Sequence, residues 1–243
     1  AGVEIPDITD GFVGKAPDVG AYERGAPYWR PGADWDPNPT TPNLAFIPQA
    51  PITETTMPRE GLLLWLDGKA SKTVETEDGE VRRWHHRLDP QTAATAEGGC
   101  TLLPTGGVRS AGKSGLKVGT LRKEAGPATV FIVARSGSAG SPPWQRLFVS
   151  WSGKGNDWVA PNFQLMRPHA KAPTAFSWRL FSAKQKAVVL DHITLAASAQ
   201  ETSQNFVGDL GEVLVFDHAL PFDREQAIVD YLRRKWGTGA KGE

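Results

Sequence analysis

From residue 61 onward the chain is written in short apolar or alternating runs: "GLLLWLD" (61–67), "TVFIVARS" (129–136), "QRLFVSW" (145–151), "NFQLMR" (162–167), "FSWRLFS" (176–182), "KAVVLDHITLA" (186–196) and "DLGEVLVFD" (209–217). Gly, Pro, Ser or Asn separates them, and β-branched and aromatic residues fill them. Runs of this length and spacing form antiparallel strands. No helical segments alternate with them, so a parallel α/β sheet is excluded. The expected fold is all-β, an antiparallel jelly-roll β-sandwich over 59–238.

One helix is expected, at the end. In "FDREQAIVDYLRRKWG", Ile228, Tyr231, Leu232 and Trp236 recur on one face, and Gly237 supplies a left-handed stop. Asp223 is the expected cap, with Gln226 reaching back three residues later. The unit should act as a lid on the sandwich, burying Tyr231, Leu232 and Trp236. Residues 239–243 are expected to form a disordered tail.

The first 58 residues have a different texture. They hold ten of the nineteen prolines, eight acidic and three basic side chains. Proline fixes φ and removes a ladder donor, so this stretch should be extended and irregular. Tyr28, Trp29, Trp35, Leu44, Phe46 and Ile47 are too apolar for a free linker, which leaves an arm laid on the following domain. The whole chain has 27 basic and 27 acidic side chains, but the arm's excess of acid makes the remainder basic. That balance points away from nucleic acid and tolerates an anionic ligand. No run is apolar and long enough for a transmembrane helix. "AGVEIPDITD" has neither the basic nor the apolar region of a signal peptide, so either a targeting segment has been removed or the chain is a piece of something longer. The single cysteine, Cys100, reads as a small core filler and excludes an internal disulfide framework.

Two resemblances follow. Residues 59–237 resemble the laminin-G/concanavalin-like jelly-roll domains of secreted bacterial proteins, through "GLLLWLDGKA" (61–70), "VRRWHHRLDP" (81–90), "SGLKV" (114–118), "GPATVFIVAR" (126–135) and "FVGDLGEVLVFDHALPFDREQAIVDYLRRKWG" (206–237). Separately, "ITDGFVGKAPDVGAYERGAPYW" (8–29) resembles the closing segment of right-handed parallel β-helix proteins of the polysaccharide-lyase type. Together they imply a secreted, extracellular, cell-surface or periplasmic polysaccharide-processing protein, with an upstream β-helix domain or chain as a partner.

The concanavalin-like resemblance also brings glucanases into view. A retaining glycosidase needs two carboxylates, one as nucleophile and one as acid/base. The resemblance would place them on the strand containing "VGDLGE" (207–212), where the nucleophile position is Val207. Asp209 and Glu212 remain, expected to hold loop backbone or an ion. Catalysis by this chain alone is therefore not expected. His85, His86 and Asp89, with His169 or His192, form a conceivable metal set, but adjacent strand histidines point to opposite faces. Calcium stays open, with Asn156, Asp157 and Asp209 as oxygen donors.

Nine tryptophans remain to be placed. Trp65, Trp84 and Trp236 sit beside apolar residues and are expected in the core. Trp144, Trp151, Trp158 and Trp178 lie next to Gly, Pro, Asn, Arg and Lys, where an indole face stacks on a sugar ring. Arg146, Asn156, Asp157 and Arg179 are the neighbouring groups for sugar hydroxyls. Arg146, Arg167, Arg179 and His169 would suit sulfated or uronic acid units. The leading function is non-catalytic binding of a polysaccharide or oligosaccharide. The alternatives are a structural or adhesion module in an extracellular assembly, and a lyase or hydrolase fragment whose active site lies on a missing β-helix.

Overall fold

The computed structural model describes residues 51–113, 115–136, 146–151, 156–160, 178–197 and 205–238. The chain divides into two compact units, Ala1–Gln49 and Ala50–Glu243, and the description concerns the second. The readings made above for the N-terminal arm up to residue 50, for 161–177 and for the last five residues lie outside it.

Two antiparallel sheets form a sandwich. The first contains β1 (Leu62–Asp67), β5 (Cys100–Leu102), β6 (Val108–Ala111), β8 (Arg122–Ser136), β11 (Arg179–Leu190) and β13 (Val207–Phe216). Its order is β11-β8-β13-β6-β5, with β1 also on β13. The second contains β2 (Val74–Glu77), β3 (Glu80–His85), β4 (Ala93–Ala96), β7 (Leu116–Gly119), β9 (Phe148–Trp151), β10 (Asn156–Ala160) and β12 (Ile193–Leu195), in the order β10-β9-β12-β7-β4-β3-β2.

Side-chain alternation explains the layers. Leu64 and Leu66 of β1, Val130, Ile132 and Ala134 of β8, and Leu210, Val213 and Val215 of β13 point inward. There they meet Trp84, Ala94, Ala96, Leu116, Phe148, Ile193 and Leu195 of the second sheet. The opposite face of the first sheet is apolar too: Trp65, Phe131, Val133, Leu214 and Phe216 form a second cluster with Ile228, Tyr231, Leu232 and Trp236. These come from helix α1 (Phe222–Trp236), which covers that face. Strands buried on both sides read as continuous apolar runs, and hence "TVFIVA" and "EVLVF". Ile52 and Met57 join the same outer cluster, and Arg234 donates to the Ile52 carbonyl at 3.0 Å.

The helix ends as expected, with Gly237 at φ 65°. Its start differs. Pro221 occupies the capping position without a side-chain hydrogen bond, so Asp223 lies inside the first turn and does not cap it. Asp223 and Glu225 instead set negative charge against the positive end of the helix dipole. The preceding Leu220 amide is satisfied by Thr129 Oγ1, and Lys184 Nζ donates to the Leu220 carbonyl.

Arg122 ties the sheet's end to the turn after β13. Its guanidinium donates to the carbonyls of Glu124, Gly126, Pro127, Val188 and Asp217, at 2.7–3.0 Å. Pro127 falls inside β8 where the β8–β11 register shifts and before β13 begins to pair, so its missing N–H removes no ladder bond. Cys100 is buried, and burial pushes its thiol up to about 11, as befits a core filler.

Candidate functional site

On the outer face of the first sheet, register brings Asp209 of β13 between Arg109 of β6 and Arg135 of β8. Arg109 Nε and Nη2 reach Asp209 Oδ1 and Oδ2 at 2.7 and 3.1 Å, and Arg135 Nε reaches Oδ2 at 2.7 Å. The carboxylate is buried while the Arg109 side chain is half exposed. The Asp209 hydrogen bond and charge hold the Arg109 guanidinium firmly protonated, raising its pKa. Two cations on one anion leave a net positive patch.

Trp178 completes it. The Arg135 guanidinium lies 4.4 Å from the indole centroid, and the ring meets Trp236 edge to face at 4.7 Å. Beneath the ring are Gly107 and Gly211, where an added Cβ would stand 3.1 Å from the indole in each case. Lys69 Nζ lies 4.8 Å from the Trp236 ring and donates to the Lys235 carbonyl at 2.5 Å. The patch is thus a half-buried indole with Arg135 against it, Arg109 on the shared Asp209, and Lys69 over the neighbouring Trp236 ring.

The other expected residues fall elsewhere. Trp151 ends β9, half-buried, with its ring 6.4 Å from that of His192, and its Cα partner is Asn156 of β10. Its indole N–H meets no acceptor among the described residues. Arg146 forms an isolated parallel bridge with Asn205. For Asn156, Asp157, Trp158 and Arg179 the description extends to backbone pairing in β10 and β11, and Trp144, Arg167 and His169 lie outside the described residues. The candidates therefore separate into a β9–β10 edge and the Trp178 patch. Arg109, Arg135 and Lys69 were not singled out in the sequence.

Both oxygens of Asp209, expected to hold loop backbone or an ion, accept from guanidinium groups. His85 and His86 part where β3 ends, since His86 lies just past the strand. His85 Nδ1 lies 2.7 Å from the Pro90 carbonyl, while buried His86 accepts the Leu88 amide at 3.0 Å. Asp89 closes the turn through Gln91 and Thr92. Among the described residues no three His, Cys, Asp or Glu side chains group as metal ligands.

Burial lowers the His86 pKa below its ordinary 6.5, against an opposing pull from Asp89. The unfolded chain thus binds that proton more tightly than the fold. Stability should decline as pH falls below 6.5. Denaturant midpoints measured from neutral to mildly acidic pH check this, and His86→Gln should flatten that limb of the curve.

Glu212 is a second acid of β13 and the cross-strand partner of Asp67. Both carboxylates are fully buried beneath α1, and Lys235 Nζ stands 2.7 Å from Asp67 Oδ2 and 2.9 Å from Glu212 Oε2. Two acids therefore face one another, but a lysine fills the space between them and no sugar reaches them. Val207 opens β13 and is half-buried.

No family model and no curated protein matches the chain. Among solved structures, the Trypanosoma rangeli sialidase in complex with sialic acid aligns with a TM-score of 0.50 at 9% identity, over 77% of this chain and 36% of the sialidase. The same enzyme as a covalent intermediate with 2,3-difluorosialic acid gives 0.49 and 10%, over 75% and 34%. The chain spans about a third of the sialidase's length. At such identity the likeness is one of β-sandwich fold. Among the described residues no helix is long and apolar enough to cross a membrane.

Proposed function

We propose that the chain is a non-catalytic carbohydrate-binding module for an anionic glycan, built on a jelly roll of the laminin-G/concanavalin kind. The observation that carries this reading is the Trp178 patch. It offers the apolar border of a half-buried indole to a sugar ring, beside guanidinium and ammonium groups for a carboxylate or sulfate. The Arg109 side chain is half exposed and so open to a ligand. Arg109 and Arg135 are both anchored on Asp209, so the cationic rim is preorganised. In this reading the module serves a secreted polysaccharide-active protein. The proline-rich arm (1–58) is then the tail of an upstream β-helix domain or chain, and the sandwich occupies 59–238.

Affinity electrophoresis against a panel of neutral, uronic acid and sulfated polysaccharides tests it. The wild-type chain should be retarded by an anionic member, and retardation should weaken as salt rises. Trp178→Ala and Arg109→Ala should each weaken binding about tenfold, the equivalent of one lost stacking or charged contact. Equal binding by both variants, with circular dichroism unchanged, would sink the assignment.

A further inference from the structure

The joint between β1 and α1 holds an amine among carboxylates, largely screened from bulk water. Lys235 has a side chain only 10% exposed, Asp67 and Glu212 are fully buried, and Glu54 Oε1 lies 3.4 Å from the same Nζ. Trp65 Nε1 (2.8 Å) and the Tyr231 hydroxyl (3.2 Å) donate to Glu212 Oε1, and Trp236 Nε1 (2.7 Å) donates to Oε2. Asp67 is held equally firmly: the Lys69 amide donates to Oδ1 at 3.0 Å and Arg87 Nη1 to Oδ2. Lysine, aspartate and glutamate are thus fixed within contact distance in an aromatic cage.

We propose that Lys235 and Asp67 condense into an intramolecular amide, Nζ to Cγ, that ties helix α1 covalently to strand β1, with Glu212 carrying the protons. Three features of the cage favour this over a permanent ion pair. The amine already touches the group it would attack, so the reaction is unimolecular with a high effective concentration. Low dielectric disfavours the separate charges of ammonium and carboxylate, and an amide removes both. The Arg87 guanidinium rests on the Asp67 oxygen where negative charge accumulates as the carbonyl carbon becomes tetrahedral.

The step balances without any further reagent. Glu212 takes one proton from the Lys235 ammonium, freeing the nitrogen lone pair, which forms the C–N bond at Asp67 Cγ. Glu212 then returns the proton to an Asp67 oxygen. That oxygen leaves as water with a second proton from the nitrogen, and the C–O bond breaks. The net change is ammonium plus carboxylate to amide plus one water, with no oxidation or reduction. Burial, and then the charge of Asp67, raise the Glu212 pKa, the direction a proton carrier needs.

The purified full chain, folded, incubated at neutral pH and then denatured, should weigh one water less than its sequence. Proteolysis should yield a branched peptide joining the Asp67 segment to the Lys235 segment. Lys235→Arg keeps the positive charge and should show the full sequence mass. Glu212→Gln, with a circular dichroism spectrum like the wild type's, should also show the full mass. A wild-type chain at full sequence mass after prolonged incubation, or a branch mapped to Glu54 or Glu212, overturns the proposal.

Discussion

Glu212→Ala is expected to lower the stability of the sandwich by about 4 kcal/mol, the cost of leaving several buried donors without an acceptor. The cause is what the missing carboxylate leaves behind. Two indole N–H groups and one tyrosine hydroxyl point at it, with the Lys235 nitrogen beside it at 2.9 Å. Each buried donor without an acceptor costs about 1–3 kcal/mol. Trp65 and Trp236 sit in the apolar cluster under α1 and cannot turn to water without opening that layer. A domain holds only about 5–15 kcal/mol in reserve, so the helix should detach or the whole sandwich unfold at modest denaturant. Denaturant titration followed by tryptophan fluorescence checks this. Glu212→Gln should lose less than half as much, because an amide oxygen still accepts two of the donors. Equal stability of Glu212→Ala and wild type would mean that α1 is held by its apolar face alone.

How far the sequence foretold these features depends on the distance over which each is encoded. The rhythm of β8 and β13 was plain because both faces of those strands are buried, one by the second sheet and one by α1. The helix face was plain because Ile228, Tyr231, Leu232 and Trp236 repeat locally. Trp65 and Trp84 were readable as core from their apolar neighbours, and both are fully buried. The strands β2 and β4 to β7 were harder. They are three or four residues long, and they bury small or single side chains such as Ala94, Ala96 and Leu116 while Thr95 and Lys117 face outward. Such segments carry too little apolar signal to separate them from loops. The Trp178 patch was half legible: the tryptophan was a candidate, but Arg109 and Arg135 are isolated in sequence and meet only through β-sheet register. The same holds for Lys235, which lies 168 positions from Asp67 and touches it only because a helix crosses the strand's end.

Register also sets a close approach of three backbones, and there the second large effect is expected. Strand β13 pairs with β6 through Leu210 and with β1 from Glu212, changing partner at Gly211. Gly68, just beyond β1, donates its amide to the Gly211 carbonyl at 2.9 Å and accepts the Gly107 amide at 3.0 Å. Three backbones therefore cross with no side chain between them. A methyl group on Gly68 would stand 2.4 Å from Gly107 Cα, 2.6 Å from Gly107 N and 2.7 Å from the Gly211 oxygen. None of these is the end of a flexible side chain, so both hydrogen bonds must stretch to make room. Gly68→Ala should cost about 3 kcal/mol, at the upper end for overpacking. Gly79→Ala provides the contrast: its added carbon meets nothing within 4 Å, and only the left-handed φ of 80° is strained, for about 1 kcal/mol. Because Gly107 and Gly211 also floor the Trp178 ring, Gly68→Ala should shift the tryptophan emission and weaken retardation by an anionic glycan, whereas Gly79→Ala should leave both unchanged. Equal melting temperatures for the two variants would mean that the three backbones have slack, and that the floor of the patch is not set by their crossing.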